Sequence, residues 1–253
     1  QGQVLNDAGE MPLTDEDVAA AGAAADTAIF TIARMSSEGS DYEDAPGQFQ
    51  LSDVEKQIVE QIKAAGFEKV IIILNVPYVI QAGWIKDDPE IDAALCVSLP
   101  GMEGGDAMAD VLLGETYPSG KTVDTWAYEH AYYPSVAYGT FGEQGSAKYV
   151  EDIFVGYRYF ETLPDVQDQV VYEFGYGLSY ADFSIEDVTV DVTGEGRERE
   201  VTVKATVQNN SDQYAGKEVV QVYASVPEGE LTQPAKELVG YAKTGEIAPG
   251  ASQ

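Results

Sequence analysis

Near the start of the chain, Ser36-Ser37-Glu38-Gly39-Ser40-Asp41 is the stretch whose residue types and spacing could do chemistry. Glu38 has only small neighbours, Ser36, Ser37, Gly39 and Ser40, so its carboxyl is sterically open. Asp41, Glu43 and Asp44 follow at once. Like charges this close raise the pKa of one member, which is what a general acid requires. The stretch comes directly after the strand pattern Thr27–Ala33, and ligands of parallel α/β sheets sit beyond the carboxyl ends of strands. The competing possibility is a solvated acidic loop in a chain full of them, and taken alone these residues favour it.

Other chemistry has weaker support. His130 is the sole histidine and lies in a Tyr-rich stretch, so it is expected to be a surface or packing residue. No Ser or Cys sits in a nucleophile motif such as G-x-S-x-G. One His and one Cys cannot build a His/Cys metal site, so no metal is expected. Carboxylates at Asp41–Asp44 or Asp87-Asp88 lack EF-hand spacing and read as solvated charge. Cys96 lies in the apolar run Ile91–Leu99 and is expected to be a buried, inert thiol that forms no intrachain disulfide. Trp84, Trp126 and Tyr157 could stack on a sugar face, although aromatics at this density more often pack in a core; of these, Trp84 and Tyr157 are the substrate-binding candidates. Arg158 is expected in a structural ion pair. Gly101–Gly105 before a helix lacks the Lys and Ser/Thr of a phosphate loop, and no dinucleotide fingerprint is present.

The elements that must position Glu38 are legible as alternating strands and helices. Thr14 and Asp17 have capping-box-like spacing ahead of the alanine-rich stretch Val18–Ala25. Ser52 with Glu55 repeats the spacing, and Val54, Ile58, Val59 and Ile62 form one apolar stripe that Gly66 ends. Lys69–Leu74 and Ile91–Leu99 are continuous apolar runs, as in strands covered on both faces, and Met102–Leu113 gives a further helix stopped by Gly114. The pattern predicts an α/β fold, a mostly parallel sheet sandwiched by helices, over residues 1–126. Residues 127–183 are rich in Tyr and Gly without a sustained period and read as an ordered extension, with Gly175 and Gly177 at positions that tolerate no side chain. From 184 to 253 the period becomes two: Val201, Val203, Ala205 and Val207 alternate with polar residues, as do Val220, Val222, Ala224 and Val226. This is an all-β sandwich pattern. A seven-stranded sandwich needs roughly 100 residues, so the final strands are expected to be missing and an edge left bare.

Acidic residues outnumber basic ones 44 to 14, a formal charge of −30, which opposes binding to nucleic acid and to anionic membranes but not to a neutral sugar. No apolar run approaches a membrane span, and the polar start lacks a secretion signal; a cytoplasmic location is slightly favoured, and a homo-oligomer stays possible.

Three blocks, Ser98–Trp126 (SLPGMEGGDAMADVLLGETYPSGKTVDTW), Glu151–Phe160 (EDIFVGYRYF) and Glu173–Tyr180 (EFGYGLSY), resemble in this order the C-terminal half of glycoside hydrolase family 3, the β-glucosidase family. The resemblance runs from about Ala25 to Ser252, with Ala215–Tyr223 and Gln233–Gly250 similar to the family's fibronectin type III-like domain. In that family a loop often reading S-G-E-G-x-D holds the acid/base glutamate. Ala33–Asp41 (ARMSSEGSD) matches it, with Ser37 in place of the usual glycine. The resemblance therefore implies that Glu38 is the general acid/base of a retaining β-glycosidase, most plausibly a β-glucosidase acting on terminal β-D-glucosyl residues, with no cofactor. It also implies that the Asp nucleophile lies on a (β/α)8 barrel domain absent from these residues, leaving this piece inactive alone. Ser119–Tyr128 and the long stretch after it look more like members whose barrel follows the β-sandwich. The rival expectation is a non-catalytic carbohydrate-binding or domain-docking module.

Overall fold

The structure, a computed structural model, describes residues 10–35, 42–138, 148–227 and 229–253. It divides into two compact units interleaved in sequence: Gln1–Met108 with Asp124–Asp152 and Asp165–Glu173, and Ala109–Val123 with Ile153–Pro164 and Phe174–Gln253.

The first unit opens with helix α1, Asp15–Ala24, whose N-cap Thr14 accepts the Asp17 N–H at 3.2 Å. Strand β1, Thr27–Ala33, alternates strictly, with Ala28, Phe30 and Ile32 buried and the residues between them exposed. Helix α2, Asp53–Ala64, carries a complete capping box between Ser52 and Glu55 and buries Ile58, Val59 and Ile62. Strand β2, Lys69–Asn75, follows, then the single turn α3, Gly83–Lys86, and strand β3, Ala93–Cys96. The sheet order is β1-β2-β3, parallel throughout, with Thr27 opposite Lys69 and Ile71 opposite Ala93. Central β2 buries residues of both faces, Ile72 and Leu74 on one and Ile73 on the other, as a two-sided strand does. Val18, Phe30, Ile32, Ile58, Ile62 and Ile72 belong to one continuous core.

Two expectations need correction at β3. The apolar run Ile91–Leu99 yields only four strand residues, largely exposed, because among the described strands β3 bonds to β2 alone and forms an edge. Cys96 is consequently exposed rather than buried. Helix α4, Gly104–Leu113, starts two residues later than the pattern suggested, and only Gly104 of it is buried. Strands β4, Trp126–Ala127, and β5, Val170–Tyr172, pair antiparallel, putting Trp126 opposite Tyr172.

The second unit contains the short helix α5, Tyr157–Thr162, and two antiparallel pairs. These are β6, Phe183–Thr193, with β7, Glu200–Asn209, and β8, Val219–Ala224, with β9, Glu237–Lys243. Val190 pairs with Val203 and Val192 with Val201, so the period-two pattern gathers valines on one face of the ribbon. Val190, Val192 and Val201 are nonetheless 59%, 55% and 55% exposed. At the other end of β7, Val207 exchanges two backbone bonds with Gln253 at 2.9 and 3.0 Å, starting a further pairing. Gly175 has φ +83°, and a Cβ on Gly177 would lie 2.3 Å from the Gly120 carbonyl oxygen, so both positions require glycine.

Candidate functional site

The alternation that sends Ala28, Phe30 and Ile32 into the core continues one step past the end of β1 and buries Arg34, which is 7% exposed. A guanidinium out of water must have its donors satisfied. Here all five are. Nε donates to the Gln48 carbonyl at 3.1 Å, Nη1 to the Ala33 carbonyl at 2.9 Å, and Nη2 to the Gln50 carbonyl at 3.3 Å. Nη1 and Nη2 also donate to the two carboxylate oxygens of Glu55 at 2.5 and 2.8 Å. Glu55 is 4% exposed and occupies the third position of α2, where its Oε2 also accepts the Ser52 N–H at 2.7 Å. Arg34 thus ties the carboxyl end of β1 to the turn before α2 and to the helix itself.

That turn is tightly bonded. Glu43 N–H donates to Gln48 Oε1 at 2.7 Å, Gln50 Nε2 to Asp44 Oδ1 at 2.8 Å, and Gln81 N–H to the Phe49 carbonyl at 2.8 Å. At its start Tyr42 stacks on Tyr78, with ring centroids 4.4 Å apart and planes 6° from parallel. His130 leans on both Tyr42 and Phe49, at 5.4 and 5.1 Å, as the packing residue expected of it. Burial first of all pushes the Tyr78 phenol up, so its hydroxyl stays protonated through the neutral range. Glu38, with Ser36, Ser37, Gly39, Ser40 and Asp41, lies outside the described residues. What is described is the frame on either side: Arg34 before it and Tyr42 after it, at the carboxyl end of a parallel strand where open α/β sheets place their ligands.

Residues 5–180 match the glycosyl hydrolase family 3 C-terminal domain, well over half of the chain. The chain belongs to glycoside hydrolase family 3. Residues 218–253 match the fibronectin type III-like domain that follows in this family member. Beta-glucosidase A of Butyrivibrio fibrisolvens is 40% identical over 96% of the chain, which covers 33% of that protein. A beta-glucosidase of Ruminococcus albus is 42% identical over 96%, covering 24% of its length. The crystal structure of a beta-glucosidase from Paenibacillus barengoltzii superposes with a TM-score of 0.90 at 42% identity, over 96% of this chain and 26% of that one. The chain therefore spans about a quarter to a third of these relatives.

Within this family 3 domain the remaining sequence candidates are placed as follows. Trp84 is half-buried on α3, its indole N–H donating to the Gln81 carbonyl at 2.8 Å, and it lines an open hollow. Tyr157, in the second unit, accepts the Leu238 N–H at 2.8 Å and stacks on Phe174 with centroids 4.9 Å apart, so ring and hydroxyl both serve packing. Arg158 forms the expected ion pair, with Glu237 at 3.3 Å. Of the adjacent acids, Asp88 pairs with Lys63 at 2.7 Å and Asp87 accepts the Tyr128 hydroxyl at 3.0 Å. Among the described residues no group of three His, Cys, Asp or Glu could hold a metal ion, and no helix is long and apolar enough to cross a membrane. Sequence reasoning noted Arg34 only as part of a matching segment. Its partner lies 21 positions away, and no local pattern announces such a pair.

Proposed function

We propose that this chain supplies the general acid/base of a retaining β-glucosidase, with Glu38 as that group. Glu38 protonates the departing glycosidic oxygen, then removes a proton from the water that releases the sugar. The nucleophile is an Asp on a (β/α)8 barrel of the same protein, outside these residues, with the two carboxyl groups about 5 Å apart across the bond being broken. In that division of labour the chain by itself cannot form the glycosyl-enzyme intermediate and does not turn over aryl β-glucosides.

The observation that carries the proposal is the frame around residues 36–41. A proton donor works only when held within hydrogen-bond reach of the leaving oxygen. Arg34, with all five donors occupied, and the Tyr42–Tyr78 stack fix the chain on either side of Glu38. The similarity to beta-glucosidases over 96% of the chain supports the same assignment.

The test is Glu38→Gln in the protein that includes its barrel. Glycosides with poor leaving groups should lose about 100-fold or more in kcat/KM, whereas activated aryl glycosides, which need little protonation, lose far less in the first step. Added azide should restore turnover and yield a β-glycosyl azide, because an anionic nucleophile needs no general base. Unchanged hydrolysis of poor leaving groups by Glu38→Gln would remove Glu38 from the role.

A further inference from the structure

We propose that the hollow beside α3 is a binding site for a small organic ammonium ion. The hollow, about 290 Å³, is lined by Gln81, Gly83, Trp84, Asp87, Tyr128 and Glu129, at the small end of the range for ligand sites and sized for one compact group. Its shape comes from the absence of a side chain at one position. A Cβ on Gly83 would stand 2.6 Å from Tyr128 Cδ1, so only glycine lets the phenol ring lie against α3 and form a wall with Trp84.

The hydrogen-bond inventory of the lining points to a positively charged ligand. The Trp84 indole N–H is spent on the Gln81 carbonyl at 2.8 Å, the Gln81 amide on the Tyr128 carbonyl at 3.4 Å, and the Tyr128 hydroxyl on Asp87 Oδ1 at 3.0 Å. The indole and phenol donors are therefore engaged internally, as is one of the two N–H groups of the Gln81 amide. Acceptor capacity remains on the exposed carboxylates of Asp87 and Glu129, neither of which joins an ion pair among the described residues, together with two aromatic rings. The neighbouring cation is directed elsewhere, since Lys86 Nζ donates to the Val171 carbonyl at 2.7 Å and lies 6.0 Å from the centre of the Tyr172 ring. Carboxylates and π systems both attract positive charge, and aromatic walls suit its alkyl substituents.

Trp84 lines the hollow and the other tryptophan, Trp126, does not, so the part of the indole fluorescence change that disappears in Trp84→Phe reports on the hollow. Titration of the chain with n-butylammonium chloride should give a saturable change with a dissociation constant on the order of 1 mM. Sodium chloride at equal ionic strength should not reproduce it. Asp87→Asn and Glu129→Gln should each weaken binding by about threefold or more, whereas Asp15→Asn, on exposed α1, should leave it unchanged. A matching response to sodium would reduce the effect to diffuse attraction by a chain of charge −30 and overturn the proposal. Saturation by glucose without saturation by butylammonium would overturn it too, as would no response to either. Circular dichroism of each variant separates lost binding from lost fold, and these outcomes do not depend on Glu38.

Discussion

Arg34 and Glu55 meet in a two-point ion pair, with contacts of 2.5 and 2.8 Å, both side chains at least nine-tenths buried. The pair joins the inward position just past the end of β1 to the capping box of α2, so one carboxylate organises a helix start and a strand end together. Removing either partner leaves the other charged in an apolar surround, which is expected to cost about 3–5 kcal/mol. Arg34→Ala and Glu55→Ala should therefore shift the urea midpoint far more than the double replacement Arg34→Met/Glu55→Leu, which leaves no orphaned charge. Arg34→Lys should behave nearly as badly as Arg34→Ala, because an ammonium has three donors for five acceptors.

Lys63 gathers Asp88 at 2.7 Å, Glu60 at 2.9 Å and Glu90 at 3.5 Å. The Lys63 hydrogen bond, aided by the Glu90 N–H, holds the Asp88 carboxyl below its ordinary value, while Asp88 and Glu60 hold the ammonium protonated well above its ordinary range. A depressed carboxyl stabilises the fold above its unfolded pKa, near 4, and the contribution disappears as pH falls through the folded value. The raised Lys63 contributes below its unfolded pKa, near 10, and ceases to do so as pH rises through its own folded value. Asp88→Asn should cost about 1 kcal/mol at pH 7, and the difference should shrink as pH falls through the folded Asp88 value, so the wild-type and variant acid-denaturation curves draw together toward low pH.

In the second unit Asn209 is fully buried and uses its whole amide. Nδ2 donates to the Tyr214 and Ile247 carbonyls, both at 2.9 Å, and Oδ1 accepts from the Ser211 N–H at 3.0 Å and its hydroxyl at 2.7 Å. Asn209→Ala should lower stability by about 3 kcal/mol. Asn209→Asp should lower it further, since a carboxylate would face two carbonyl oxygens; thermal unfolding of both variants checks the order.

Position along β7 should matter more than residue type. Val207 is 2% exposed whereas Val201, six residues earlier on the same strand, is 55% exposed. Val207→Thr is expected to cost about 1–2 kcal/mol, and Val201→Thr to stay within about 0.5 kcal/mol. Equal costs at the two sites would mean that the valine face is covered in solution.

Tyr133 bridges two backbone groups through its hydroxyl, accepting the Ala127 N–H and donating to the Thr125 carbonyl, both at 2.9 Å. Burial raises its pKa, so it remains a neutral donor. Tyr133→Phe should cost about 1–3 kcal/mol by leaving an amide and a carbonyl without this partner, measurable as accelerated hydrogen exchange at Ala127.

The elements that proved legible are those whose signals are local. Ser52 and Glu55 stand three residues apart and form the capping box their spacing announced. Thr27–Ala33 alternates as its residues do. The run Ile91–Leu99 misled because hydrophobicity does not distinguish an edge strand from a central one; only the sheet order does. Arg34 was hidden because its burial depends on a carboxylate 21 residues away and on three carbonyls, which carry no side-chain signature. Trp84 and Tyr128 share a wall through chain folding across 44 positions, and neither flank of the sequence hints at the other.

The Arg34 clamp also bears on how such a domain diversifies. The anchoring contacts of Arg34 and Tyr42 are made to Gln48, Gln50, Glu55 and Tyr78, all of which lie beyond residue 41 in the chain. Under the role proposed for Glu38, exchange of the residues on either side of it, with Glu38, Arg34, Tyr42 and Glu55 retained, becomes a route to retuning proton delivery on an unchanged scaffold.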